Sequence, residues 1–470
     1  MRDVPVGRSD APWRLGLHEG YYVRGLVPLF ERKLPVNSVQ QRYVCLSLLY
    51  VLVMVWIGWG IYATSGSTHL YMMLILFFSF FAASIACYFA FSTRFFSGYL
   101  KRTEAVQSVA LSNQILVGLC LIGGGGILLH WYLLGGLPIL SAFRTVNHTE
   151  AGMIRQHIMD APLGVIYLSS LLVKALIPVA LIVLLKGNKR PVLTAVIIFS
   201  CWIYALSLMQ KSYPIVVLGP AGLWCLLSRR FVSAAGLFSL MLVGVVIGTL
   251  AANPEIRPNL GSLGLGSRTS VDRTVQPADT PPKEVAPATA PPIGEIAKDV
   301  STGLSSRVLE LPGEVVSKWF SAIPRDLPFE YGCGYRFLAP LLKCQFVDNA
   351  LLLYKFYYVD LYNRGYRGSM NAAHFAEEYA NFGAYGLVLS GVLASLVIAL
   401  GTVAFARADF AATLALNMPF VLVLGSTALH TTLVSGGWLL VMVLAFLLFH
   451  PDRRPVQGRS QACSSVHNKS

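Results

Sequence analysis

Apolar runs long enough to cross a bilayer recur along this chain, and they constrain its fold more than any other feature. A hydrocarbon layer of about 30 Å takes roughly 20 apolar residues of helix, and every backbone amide inside it must find its partner within the protein. Ten segments meet or approach that demand: Tyr43–Ala63, Leu70–Phe91, Ala110–Leu134, Leu163–Leu185, Val192–Met209, Tyr213–Leu227, Phe231–Ala252, Phe382–Ala406, Phe410–Leu429 and Leu433–Phe449. The fifth and sixth are short. With 55% hydrophobic and only 13% charged residues, the expected fold class is all-α: a polytopic membrane bundle of about ten helices with a large outer loop. The expected organisation is an N-terminal segment 1–42, spans one to seven in 43–252, the loop 253–381, spans eight to ten in 382–449, and a tail 450–470.

Orientation follows from Lys and Arg, which are retained on the cytoplasmic side when they lie close to span ends. Seven fall in the stretch up to Arg42, and the later connections of the same parity hold Arg94, Lys101, Arg102, Lys186, Lys189, Arg190, Arg229, Arg230 and Arg407. The opposite connections carry Arg144, Arg155 and Lys211 apart from the large loop, whose thirteen basic residues do not count against the rule because long loops cross largely regardless of charge. Both termini are therefore expected in the cytoplasm. The net charge of +14 is mostly accounted for by this topology, and no soluble basic domain is visible, so no nucleic-acid partner is expected. The polar first forty residues carry no cleavable signal, leaving the first span to direct insertion.

Five of the eight cysteines (Cys45, Cys87, Cys120, Cys201, Cys225) sit in spans, where a thiol behaves as a small apolar group. Cys463 is in the tail. Only Cys333 and Cys344 share the outer loop, an oxidising setting in which nearby thiols can pair. The alternative there is two buried free thiols. No Cys/His array has zinc spacing, and no metal or other cofactor is expected.

The loop is composite. From Arg268 to about Pro292 it is rich in Pro, Ala and Thr and too poor in large apolar residues to bury a core, so residues 268–292 are expected to be a disordered insert. Ile293, Ile296, Val300, Leu304, Val308 and Leu311 then form one apolar stripe at helical spacing, as for a helix lying on the membrane surface. Beyond Pro312 comes a Gly/aromatic turn, Tyr331-Gly332-Cys333-Gly334-Tyr335. Phe346 to Tyr362 is apolar but interrupted by Asp348, Lys355 and Asp360, and reads as interfacial or re-entrant.

The outward polar groups hold the chemistry. Arg144, Arg155, His148, His157 and Asp160 lie between spans three and four, and the large loop adds Arg325, Asp326, Arg336, Arg364, Arg367, His374, Glu377 and Glu378. Guanidinium groups present planar forks of donors that match phosphate oxygens, so arginines gathered at a membrane face suit a lipid-linked phosphate or pyrophosphate; solvation or lipid head groups are the bland alternative. On a helix His374 shares a face with Glu377 and Glu378, where an imidazole or carboxylate could act as a general base or cap the helix start. Lys174, near the middle of the fourth span, is either functional or paired within the bundle. Tyr354, Tyr357, Tyr358, Tyr362 and Tyr366 crowd beside Arg364 and Arg367, placed to stack on sugars or to form an interfacial aromatic belt.

The run Glu378-Tyr379-Ala380-Asn381-Phe382-Gly383-Ala384-Tyr385-Gly386 resembles the E-x-Y-x-N-F-G-x-x-G entry to a late span in oligosaccharide repeat-unit polymerases, the Wzy-type or O-antigen polymerase family. Gly135-Gly136-Leu137-Pro138-Ile139-Leu140 followed by Arg144 is similar to that family's earlier outer-loop pattern. The Pro/Ala insert departs from the family's compact loop. The resemblance implies a glycosyltransferase of the bacterial inner membrane, acting at its outer face. A glycan on undecaprenyl pyrophosphate would be transferred as a block to a sugar hydroxyl of a second lipid-linked repeat unit. It further implies Arg144, Arg325, Arg336, Arg364 and Arg367 as contacts for pyrophosphate and sugar, His374 and Glu378 as base or acceptor-orienting groups, and a chain-length-regulating co-polymerase as a possible partner. Three other classes compete. An O-antigen ligase would transfer the glycan to a lipid A core; a polysaccharide flippase or transporter would show internal repeats and mid-membrane charges; a scaffold would tolerate loss of its arginines.

Overall fold

The computed structural model describes residues 38–93, 109–144, 154, 162–187, 191–252, 309–363, 365 and 368–449. The expected disordered insert, most of the amphipathic stripe, Arg364, Arg367 and both termini lie outside the described residues. Among the described residues the chain is helical and has no strand.

The helices in chain order are α1 (Ser38–Ser65), α2 (Leu70–Phe91), α3 (Val109–Leu133), α4 (Pro138–Arg144), α5 (Leu163–Leu171), a π-helical turn Leu172–Leu176, α6 (Ile177–Gly187), α7 (Pro191–Ser207), α8 (Tyr213–Leu227) and α9 (Phe231–Ala252). The outer-loop region supplies α10 (Leu311–Ala322), α11 (Ala339–Leu342), α12 (Asn349–Tyr357) and α13 (Val359–Asn363), and the chain finishes with α14 (His374–Ala404), α15 (Phe410–Val423), α16 (Leu429–Leu433) and α17 (Trp438–Leu448). Among the described residues six stretches are long and apolar enough to cross a membrane, or seven if α3 and α4, bent by 41°, form one broken span. Three shorter apolar helices, α7, α8 and α15, accompany them. Leu48, Leu52, Val55 and Trp59 on α1, like Phe78, Phe81 and Phe89 on α2, are exposed. Such outward apolar faces are what a hydrocarbon solvent requires and water would not tolerate.

Small residues set the closest helix contacts, as expected where lipid gives helices no hydrophobic drive to associate. A Cβ on Gly60 of α1 would stand 2.9 Å from the Cα of Gly313 in α10, so these two glycines let a loop helix lie directly against a span. Likewise, Gly391 of α14 brings that helix to the backbone of α2, where a Cβ would come 2.9 Å from the Leu76 carbonyl. Arg42, expected in the segment before the first span, lies instead inside α1. Its guanidinium is buried and donates to the carbonyls of Phe405 and Ala408 just past the C-terminal end of α14, where the helix dipole favours a cation.

The largest departure from expectation is α14. The sequence places His374–Glu378 ahead of a span starting at Phe382, but helix already begins at His374 and breaks at Gly383, whose φ of 60° and ψ of −138° fold the chain back on itself. The reversal is visible in two contacts. Ser390 reaches His374 across sixteen residues at 2.8 Å, a separation that in a continuous helix would be about 24 Å. Gly386 abuts the Glu378 backbone so closely that any Cβ would collide with it. Residues 374–382 therefore run antiparallel to residues 384–404 as a re-entrant arm. The arm's first residue pairs with Tyr50, twelve residues and about 18 Å along the 28-residue α1, so it starts near the middle of that span. Phe346–Tyr362, expected to be interfacial or re-entrant, forms the two short helices α12 and α13.

Candidate substrate cavity

The turn Tyr331–Tyr335 is fixed to the re-entrant arm by one side chain. Asn381, wholly buried, accepts the amides of Gly332 (3.1 Å) and Gly334 (3.0 Å) on its Oδ1 and donates through Nδ2 to the Glu377 carbonyl (2.9 Å). Gly334 must be glycine here, since a Cβ would lie 2.7 Å from the amide nitrogens of both Asn349 and Asn381. Cys333 and Cys344 are bonded to each other and close the loop that carries Arg336. In this arrangement the Asn of the E-x-Y-x-N-F-G run acts as a structural clamp and its Gly383 as the point of reversal.

Beneath that turn lies a cavity of about 620 Å³. Arg336, Phe337 and Phe346 line it from the turn and its continuation, Asp348 and Asn349 from the start of α12, Glu377 from the re-entrant arm, and Thr427, His430, Thr431 and Ser435 from the α15–α17 connection. Tyr167 of α5 and Val434, just past the end of α16, also line it; they are 48% and 69% exposed within apolar stretches long enough to span a membrane, so the cavity opens sideways as well as toward the loop. Ser170 ties α5 to this wall by donating to the Ser435 carbonyl at 3.2 Å. Ser170 lies seven residues, about 10 Å, into the span that starts at Leu163.

Arg336 stacks its guanidinium over the Phe346 ring at 4.9 Å and forms no ion pair with a described residue. Stacking holds the fork in one plane while leaving its donors open, a suitable state for meeting phosphate oxygens. Glu377 accepts from Asn349 Nδ2 on Oε1 (3.1 Å), leaving its second oxygen uncommitted. Asp348 is occupied differently, capping α12 by accepting the Leu351 amide at 3.0 Å. Tyr335 packs behind the wall, its ring edge-on to His430 at 5.4 Å and its hydroxyl beside the Glu378 carboxyl. Burial, reinforced by Glu378, pushes the Tyr335 hydroxyl well above its ordinary range, so it stays protonated and serves as a donor.

The site residues named from sequence separate accordingly. Arg336 lines the cavity. Arg144, at the end of α4, is exposed and is not in the wall. Arg325 is 74% exposed and spends its donors on the adjacent Asp326 at 2.8 Å, so it does not line the cavity either. Replacing Arg325 by Ala is expected to leave glycan extension within about twofold of wild type, because exposed pairs of this kind contribute little.

His374 and Glu378 also lie outside the wall, contrary to the expectation of groups at a span mouth. His374 is fully buried, with Nε2 paired to the Tyr50 hydroxyl and Nδ1 to Ser390 at 2.8 Å, and its amide donates to the Leu424 carbonyl at 2.9 Å. Both ring nitrogens are therefore engaged in holding helices together. Glu378 is buried on the same side of the arm, with Oε2 unpartnered. The cause is the reversal at Gly383, which turns the His374–Glu378 face toward α1 and the returning helix and leaves Glu377 facing the open volume.

Lys174 falls in the π-helical turn, half-buried, and makes no hydrogen bond or ion pair with a described residue. Asn349, His430 and Tyr335 were not found by sequence reasoning. The signal for His430 was present: Gly425, Ser426, Thr427, His430, Thr431, Thr432, Ser435, Gly436 and Gly437 interrupt an otherwise apolar run. Among the described residues no group of three or more His, Cys, Asp or Glu is placed to hold a metal ion. No family model, curated protein or solved structure matches the chain.

Proposed function

We propose that this protein is a lipid-linked polysaccharide polymerase of a bacterial inner membrane, transferring a glycan from undecaprenyl pyrophosphate to a sugar hydroxyl of a second lipid-linked repeat unit at the periplasmic face. The observation that carries the reading is the cavity: an arginine without an ion-pair partner and a carboxylate with a free oxygen, among the described residues, share a pocket that opens both to the loop side and between apolar helices. A donor with a charged head and a hydrocarbon chain needs such a pocket, for its diphosphate must be solvated by the protein while its chain stays in lipid. Within this reading α7, α8 and α15 cross the membrane too, giving ten crossings with both termini cytoplasmic, as the basic residues of the connections predict.

The chemistry follows from charge. A bond forms between the acceptor oxygen and the anomeric carbon while the bond from that carbon to phosphate breaks, its electron pair leaving with the diphosphate. Arg336 faces the negative charge that develops there, where a preorganised donor is most effective. Glu377 accepts a hydrogen bond from an acceptor sugar through its free oxygen. Glu377→Gln keeps a carbonyl for Asn349 but removes the charge, and extension is expected to fall by about 10- to 100-fold with normal protein levels, as for loss of a charged hydrogen bond.

Deleting the protein and analysing lipid-linked glycans tests the reading. Accumulation of single repeat units without polymer is the expected result. Intact polymer remaining on undecaprenyl pyrophosphate would instead identify a ligase, and unaltered glycans would exclude both.

A further inference from the structure

We propose that His430 is a catalytic residue of this transfer, taking the proton from the attacking sugar hydroxyl; the inference rests on the polymerase reading above. Three carboxyl or imidazole side chains line the cavity among the described residues: Asp348, Glu377 and His430. Asp348 is held as the cap of α12, and one oxygen of Glu377 is held by Asn349. His430 alone of the three commits no side-chain atom: neither ring nitrogen hydrogen bonds to a described residue, and its Nδ1 is buried without a partner.

The ring is held in a defined orientation. Tyr335 packs edge-on against the imidazole, and α16 holds it in the wall. With Nδ1 sealed, Nε2 is the nitrogen left to meet a substrate. The other histidine of the re-entrant region, His374, has the opposite character, since both of its nitrogens are occupied inside the bundle.

The groups that face or adjoin His430 are Arg336 of the turn, Asp348 at the start of α12, Glu377 of the re-entrant arm and Tyr167 of α5, with Tyr335 against the ring and Glu378 behind it. In the step, the hydroxyl proton passes to Nε2 as the acceptor oxygen bonds to the anomeric carbon, and the diphosphate leaves with the electron pair. The proton is returned to water through the loop-side opening.

The test uses purified full-length protein with undecaprenyl-pyrophosphate-linked repeat unit isolated from a strain lacking it. His430→Ala is expected to lower kcat by about 100- to 10,000-fold, the range usual for losing a general base, with donor retention unchanged and partial rescue by added imidazole. Wild-type kcat should fall on the acid side as the imidazole takes up a proton, and His430→Gln, which keeps the ring's bulk approximately, should lose that limb. Rescue and loss of the limb are readouts that a purely packing role would not produce. Wild-type extension with His430→Ala and His430→Gln both within threefold, or with the acid limb kept in His430→Gln, overturns the inference and leaves the polymerase reading standing. No extension by wild type overturns both.

Discussion

Arg336→Ala is expected to reduce glycan extension by about 100- to 1000-fold while leaving protein level and membrane insertion unchanged. The magnitude is that of removing one preorganised donor from a site where charge develops. Folding should survive because the side chain is exposed and its contact is a stack on Phe346 rather than a buried ion pair. Arg336→Lys should recover only part of the loss, since an ammonium keeps the charge but lacks the planar fork and the stacking face. The measurement is turnover of lipid-linked repeat unit by purified protein. Full activity in Arg336→Ala would remove the cavity's only lining cation among the described residues from the mechanism, and the transfer chemistry set out above would fail with it.

The second large effect is structural. Asn381→Ala removes the acceptor of the Gly332 and Gly334 amides and the donor to the Glu377 carbonyl in one step. The two glycine amides are buried, and each left unpaired costs about 1–3 kcal/mol. A total loss of about 2–6 kcal/mol is a large part of the stability of an ordinary domain. The variant should lose thermal stability sharply, and the turn carrying Arg336 should become accessible to protease while the spans remain inserted. Asn381→Asp tests the assignment, because its carboxylate still accepts the two glycine amides but cannot donate to Glu377. An intermediate stability is expected, and an Asn381→Ala protein as stable as wild type would show that the clamp is unimportant.

Much of this was legible from sequence because it depends on composition over long windows. The apolar runs located α1, α2, the α5–α6 span, α9 and the returning half of α14 to within a few residues, and the Gly/aromatic turn drew notice before its partner was known. Arg336 was found on chemical type alone. What was hidden depends on tertiary geometry. Nothing local in the His374–Glu378 run reveals that Gly383 takes a left-handed φ, yet that one torsion decides which carboxylate meets the cavity. Adjacent glutamates face different surroundings once the arm is packed on both sides, so selecting Glu377 over Glu378 needed the direction of the arm. His430 was missed for a different reason: the segment around it was read as the junction between two spans, whereas α15 stops at Val423 and α17 starts at Trp438, leaving residues 424–437 free to line the cavity.

The amide of His374 finds its acceptor on Leu424, fifty residues further along the chain (374 to 424). Synthesis runs from the N-terminus, so the arm cannot reach its final seat while the ribosome is still making α14. Its first turn must wait, tethered by Gly383, until α15 has been threaded and its end presents the carbonyl. Assembly of the pocket is thereby a late event in biogenesis, and a nascent chain cut short after Ala404 would contain Arg336 and Glu377 without the floor on which they act.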